Sequence, residues 1–142
     1  VKIKTKFFGE IEVEEKQIIN FVEGIPGFPE YERYVLINDE EVGFTFLQSI
    51  DEWSLCFITL PPATIVGDYS FDLSDEAVEK LELEKPEDAI TLAILNIPED
   101  FKKMTANLRA PIVINVKNNK GIQELLDGDN YSMKHQVFKG DV

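Results

Sequence analysis

The sequence predicts a mostly β, single-domain protein: an antiparallel β-barrel-like or sandwich fold with one or two short helices. Three observations carry this. Short apolar runs recur along the chain, separated by Gly, Pro and Asn clusters. Only one segment has a convincing helical period. The 142 residues, 44% of them hydrophobic, match one domain able to bury about two-thirds of its unfolded surface around one core.

Taken in order, Lys2 to Phe7 and Glu10 to Glu14 alternate polar with apolar residues around Phe8-Gly9, which reads as a hairpin. A short apolar segment, Gln17 to Val22, leads into Glu23-Gly24-Ile25-Pro26-Gly27-Phe28-Pro29. Pro26 pre-sets φ and Gly27 tolerates positive φ, the two demands of a type II turn. Tyr34 to Ile37 and Phe44 to Ile50 follow as strands across the Val42-Gly43 turn, and Leu55 to Leu60, apolar almost throughout, reads as a central strand closed by Pro61-Pro62. Ser74 caps a helix over Asp75 to Leu81, with acids in its first turn, Lys80 in its last, and Ala77, Val78 and Leu81 on one face. Ala89 to Ile97 is a strand ended by Pro98. Pro111 to Val116 is another, with Pro at its first position, turned back by Asn118 to Gly121 into Ile122 to Leu126. Tyr131 to Phe138 completes the domain, 1–142, whose last four residues are expected to fray.

The formal net charge is −13, and it is unevenly spread. Residues 10 to 52 hold twelve acids against Lys16 and Arg33, whereas from residue 102 onward seven bases face four acids. Such a surface repels phosphate backbones, so direct nucleic-acid binding is disfavoured. It attracts a basic partner, although acids also simply keep small proteins soluble. No stretch is apolar for long enough to span a membrane, and Val1-Lys2-Ile3-Lys4 lacks the apolar core of a signal peptide. The lone Cys56 lies in an apolar run where a thiol packs as a small hydrophobe, so a cytoplasmic location is expected.

The inventory for catalysis is thin. The single His135 stands far along the chain from Cys56 and reads as an exposed tail residue, so no nucleophile has an evident base. Two Cys/His residues in all are too few for structural zinc, and Asp127-Gly128-Asp129-Asn130 is too short for a calcium loop. Gly24-Ile25-Pro26-Gly27 lacks the spacing of a phosphate cradle. No catalytic residue, metal or cofactor is expected.

Two apolar motifs are more specific than composition. Phe21-Val22-Glu23-Gly24-Ile25-Pro26-Gly27-Phe28 and Asn107-Leu108-Arg109-Ala110-Pro111-Ile112-Val113-Ile114-Asn115 resemble the two signatures of the FliW family of flagellar assembly factors. Leu47-Gln48-Ser49, Asn119 to Gln123 and Tyr131 to His135 fall in the family's order, while Pro29 stands where an acid is expected and residues 53 to 75 match least. The resemblance implies a compact β-barrel-like fold and two partners. One is CsrA, an RNA-binding translational regulator that represses flagellin messenger RNA and is relieved, non-competitively, when bound. The other is flagellin, which draws the factor off the regulator as it accumulates.

Spread evenly, 27 acids place only about three in a standard half-interface, so charge steers and apolar anchors must select. Glu23, Glu30 and Glu32, beside the Gly24 to Phe28 turn, are the expected regulator-facing acids. Phe28 is either an exposed anchor or a ring folded back into the core. Asn107 and Arg109 either meet a partner or cap the backbone before an apolar strand. Gln48 is either a partner contact or a sheet-edge hydrogen bond. Two other functions stay open at this point: a flagellin chaperone without a regulatory role, needing a groove for an amphipathic helix, and a hydrolase built on two carboxylates.

Overall fold

The computed structural model describes residues 1–138; the fraying expected of 139–142 lies outside the described residues. Lys2–Lys4 (β1) and Glu10–Glu12 (β2) form the expected hairpin, Ile3 opposite Ile11, as a small sheet of its own. The main sheet runs through Ile19–Phe21 (β3), Arg33–Asp39 (β4), Phe44–Ser49 (β5), Cys56–Leu60 (β6), Ala89–Asn96 (β7), Thr105–Asn115 (β8) and Lys120–Gln123 (β9). Its order is β8-β7-β6-β5-β4-β3-β9, and β9 pairs again with β8, so seven strands close into a barrel. His135–Gln136 (β10) adds outside the ring on Ala106 and Thr105.

The sheet is antiparallel as expected but for one pair, and the cause of that exception is arithmetic. A closed ring of seven strands cannot alternate direction all the way round. One neighbouring pair must run parallel, and here it is β3 with β9, Asn20 opposite Lys120 and Phe21 opposite Gly121. Gly121 therefore belongs to a strand rather than to the preceding turn. A Cβ there would lie 2.9 Å from the Phe21 ring, so any larger residue forces that buried ring to shift.

One correction concerns β8, which starts at Thr105, so Pro111 lies mid-strand. Register with β7 breaks between Leu92, opposite Ile112, and Ile94, opposite Asn107. Residues 108–111 bulge away from β7 and find other partners: Leu108 N–H donates to the Ser132 carbonyl, and the Arg109 and Pro111 carbonyls accept from Leu126 and Glu124. A bulge is where a strand tolerates a residue with no N–H.

Ile19, Phe21, Ile25, Tyr34, Leu47, Leu92, Ile112 and Ile114 form the principal buried cluster. Three covers bury further apolar residues of the strands. The β1–β2 hairpin packs Ile3 and Val13 on Val35 of β4. Residues 65–69 and 131–137 cover Ala93, Leu95, Ala106 and Leu108. The helix Asp75–Leu81 (α1) sets Ala77 and Leu81 against Val113 and Ile122. Its ends match expectation: Ser74 Oγ accepts from Ala77 N–H at 3.1 Å, a cap worth about 1 kcal/mol, and Glu82 ends it at φ 52. With covers outside and side chains inside, Ala110 to Asn115 are buried without a break.

Gln48 is what joins the hairpin to the barrel. It is fully buried, its Oε1 accepts from Lys6 N–H at 3.0 Å, and its Nε2 donates to the Ser49 and Trp53 carbonyls at 3.0 and 2.9 Å. Of the two roles open to it, the structural hydrogen bond is the one its geometry fits; it has no surface to offer a partner. Gln48→Leu removes the partner of one N–H and two carbonyls and is expected to cost about 2–3 kcal/mol. Urea unfolding checks this, and an unchanged midpoint would show that the hairpin docks without it.

Candidate protein-docking surface

The segment after β3 sets a partly exposed aromatic ring on a tightly constrained backbone. Gly24 sits at φ +67, and a Cβ there would meet the Pro29 backbone at 2.6 Å, so the loop crosses itself closely at this point. Pro26 and Gly27, the latter at φ +93, form the expected type II turn, closed by Phe28 N–H donating to the Ile25 carbonyl at 2.7 Å. Ile25, 1% exposed, plugs the core beside Phe21 and Tyr34. The turn thus drives one side chain inward and holds the next aromatic outward.

That aromatic is Phe28. It is 39% exposed, its ring resting edge-on against Phe57 of β6 at 5.8 Å between centroids. Of the two readings of Phe28, its exposure fits the surface ring, with Phe57 supporting its underside. Phe57, half-buried, is the member of this surface that sequence reasoning assigned only to a central strand; the signal was a run apolar at every position of β6 but Thr59, with no alternation to bury one face. Glu30 and Glu32 are exposed beside the turn and make no ion pair among the described residues. Glu23 behaves differently, because its carboxylate meets Lys80 Nζ of α1 at 3.0 Å and holds that ammonium's pKa above its ordinary value. Arg33, next along the chain, is held by Asp51. The uncompensated acids next to Phe28 are thus Glu30 and Glu32.

Asn107 and Arg109 lie elsewhere, inside β8 rather than ahead of it. Asn107 Oδ1 accepts from the N–H groups of Arg109 and Ala110 at 3.2 and 3.0 Å, so its amide braces the bulge. Arg109, half-buried, reaches the Leu126 carbonyl at 3.4 Å and lines a cleft of about 900 Å³ with Asp72, Asp75, Glu76, Glu124 and Asp127. Glu124 in that cleft is occupied, accepting from both the N–H and the hydroxyl of Ser74.

The remaining chemistry-bearing residues also differ from expectation. His135 is not an exposed tail residue; it is half-buried in β10 with Nε2 enclosed. Cys56 is half-buried at the start of β6, and desolvation pushes its thiol up to about 11, against an opposing pull from Lys6. No helix among the described residues is long and apolar enough to cross a membrane. The thiolate of Cys56 should therefore be about 100-fold scarcer at pH 8 than that of an ordinary protein cysteine. Alkylation by iodoacetamide at pH 8, followed by intact mass, is expected to be slower by about that factor than in the urea-unfolded chain, and equal rates would refute it.

Comparison with known proteins gives a single answer. The model of the FliW protein family matches residues 2–137. The flagellar assembly factor FliW of Alkaliphilus metalliredigens is 45% identical over 139 residues, 96% of this chain and 86% of that protein. The FliW of Caldicellulosiruptor bescii is 42% identical over 137 residues, 96% of this chain and 90% of that one. A crystal structure of the flagellar assembly factor FliW superposes with a TM-score of 0.94 at 40% identity, covering 100% of both chains. A family match almost end to end, relatives above 40% identity and a solved structure of the same barrel agree: this chain belongs to the FliW family of flagellar assembly factors.

Proposed function

We propose that this flagellar assembly factor works as a single cytoplasmic domain without catalysing a reaction, binding two proteins in turn. It binds the translational regulator CsrA and relieves that regulator's repression of flagellin messenger RNA. It also binds flagellin, which draws it off the regulator, so that unexported subunit shuts down its own synthesis. The observation that best supports docking is the Phe28 surface: a partly exposed ring on a backbone locked by Gly24 and Gly27, with two carboxylates beside it that make no ion pair among the described residues. A ring already held in place loses little conformational freedom on binding, and carboxylates at the rim favour a basic partner.

The same charges suggest how a regulator can be silenced without its RNA groove being filled. A body carrying −13 charges beside a basic groove lowers the local potential, and an approaching RNA backbone meets repulsion. Glu30 and Glu32 assist that effect, while Glu23, neutralised by Lys80, contributes less than its position in the sequence suggests.

Titration calorimetry with purified CsrA tests the assignment. Phe28→Ala, which removes a partly exposed ring, is expected to weaken binding at least tenfold with circular dichroism unchanged. Reversing Glu30 and Glu32 to Lys should weaken it further at low salt and flatten its salt dependence, whereas reversing Glu23 should do less. Unaltered affinity at low salt in the Glu30/Glu32 pair would sink this surface. Flagellin added to the complex should release CsrA; a stable ternary complex would count against the exchange of partners.

A further inference from the structure

Strand β6 stops pairing before β7 does. Only Thr59 and Leu60 are in register with β7, opposite Ile94 and Ala93, and Pro61-Pro62 then carry the chain away. β7 runs on from Leu92 back to Ala89, paired with β8 on its other side from Ile112 to Asn115. The edge of Ala89 to Leu92 that continues beyond β6 is therefore bare.

Hydrogen-bond parity shows which groups it offers. Val116 N–H donates to the Asp88 carbonyl, so Asp88 and Ile90 face β8 while Ala89 and Thr91 face the bare edge. Ala89 N–H is taken by the Pro86 carbonyl. That leaves the Ala89 carbonyl and both backbone groups of Thr91, which have no partner among the described residues.

These groups lie along a groove of about 560 Å³, whose apolar lining includes Pro61, Phe71, Val78, Leu83 and Val113 with Thr91 on its floor. Its margin is acidic. Asp72 lines it, and exposed Asp68, Glu84 and Glu87 stand on the loops that form its walls, none of the four in an ion pair among the described residues; against these four acids the same loops carry one base, exposed Lys85.

We propose that this groove binds an extended segment of a partner protein as an added strand on β7, with alternate apolar side chains in the groove and basic side chains against its acidic margin. The site is separate from the Phe28 surface and goes beyond the function proposed above. Three bare backbone groups reward an extended occupant with ladder bonds, whereas a helix satisfies its own backbone and leaves them unmet. The acidic margin selects basic flanks and disfavours a second copy of this chain, itself at −13. The walls that narrow the groove also protect the edge from indiscriminate pairing.

The probe is a capped heptapeptide of alternating lysine and valine, followed by fluorescence anisotropy. It should bind at least tenfold more tightly than the same peptide with glutamate in place of lysine. Two backbone-methylated versions, one at the valine nitrogens and one at the lysine nitrogens, should behave differently, with only one losing binding tenfold or more, because a strand presents alternate amides to its neighbour. Ala63→Trp, an exposed wall residue beside the groove, should weaken binding at least tenfold with the fold intact. Equal binding by the two methylated peptides, retention of binding by the Ala63→Trp protein, or tighter binding by a leucine-lysine helical peptide of the same length would each overturn the proposal.

Discussion

Closure of the barrel rests on one contact, the Phe21 ring lying over Gly121. An odd ring of strands must hold one parallel pair, and β3 with β9 provides it through short strands with two residue pairs in register. So brief a pairing gains little from its ladder and depends on packing, which here is a fully buried ring against a residue with no side chain. Everything that follows β3 is positioned from there. The chain leaves Phe21 directly into the Gly24 crossing, Ile25 re-enters the core beside the same ring, and Phe28 emerges at the surface. On the other side, β9 carries Ile122 to the underside of α1. A bulkier residue at 121 would therefore disturb the docking turn and the helix together, although neither touches that position in sequence.

Local chemistry was legible in the sequence, and closure was not. The Ser74 cap and the Pro26-Gly27 turn announce themselves through residues within four positions of each other, and the first hairpin and the two long motifs within about a dozen, where local steric and hydrogen-bond rules act. The β8 bulge is different. Pro111 reads as a strand start because proline ends ladders, yet the bulge's partners lie far along the chain: Glu124, 13 residues beyond Pro111, and Ser132, 24 residues beyond Leu108. Nothing within the motif specifies them. The parallel pair escaped for the same reason: direction in a ring is a property of the strand count, which no segment carries. The candidate site divides along that line too. The turn holding Phe28 was read correctly, but whether the ring faced in or out was decided by Phe57, on a strand 29 residues away.

Apolar character on both faces explains much of what remained ambiguous. A barrel strand with a solvated outer face alternates, whereas β6 and the second half of β8 do not, because three separate covers lie on the barrel. Covers made of short segments leave gaps between them. Phe57 is half-buried, with Phe28 resting on it, and the groove along β7 opens between α1 and the 61–73 segment. Both surfaces thus arise from one architectural fact: a core strand system larger than the pieces available to wrap it.

Acidic charge acts on these gaps according to whether it is already engaged. Of the acids near the turn, Glu23 is bound by Lys80 and Asp51 by Arg33, which fixes neighbouring elements more than it colours the surface. Among the described residues Glu30 and Glu32 carry no such duty, nor do Asp72, Glu84 and Glu87 along the groove. An apolar ring or trough bordered by unengaged carboxylates discriminates in two ways at once: it rewards an apolar side chain that fills it and penalises any anionic neighbour. Net charge alone would do only the second. Selectivity for a particular basic protein therefore has to come from where the rigid apolar features sit among the free acids, and the barrel sets that spacing.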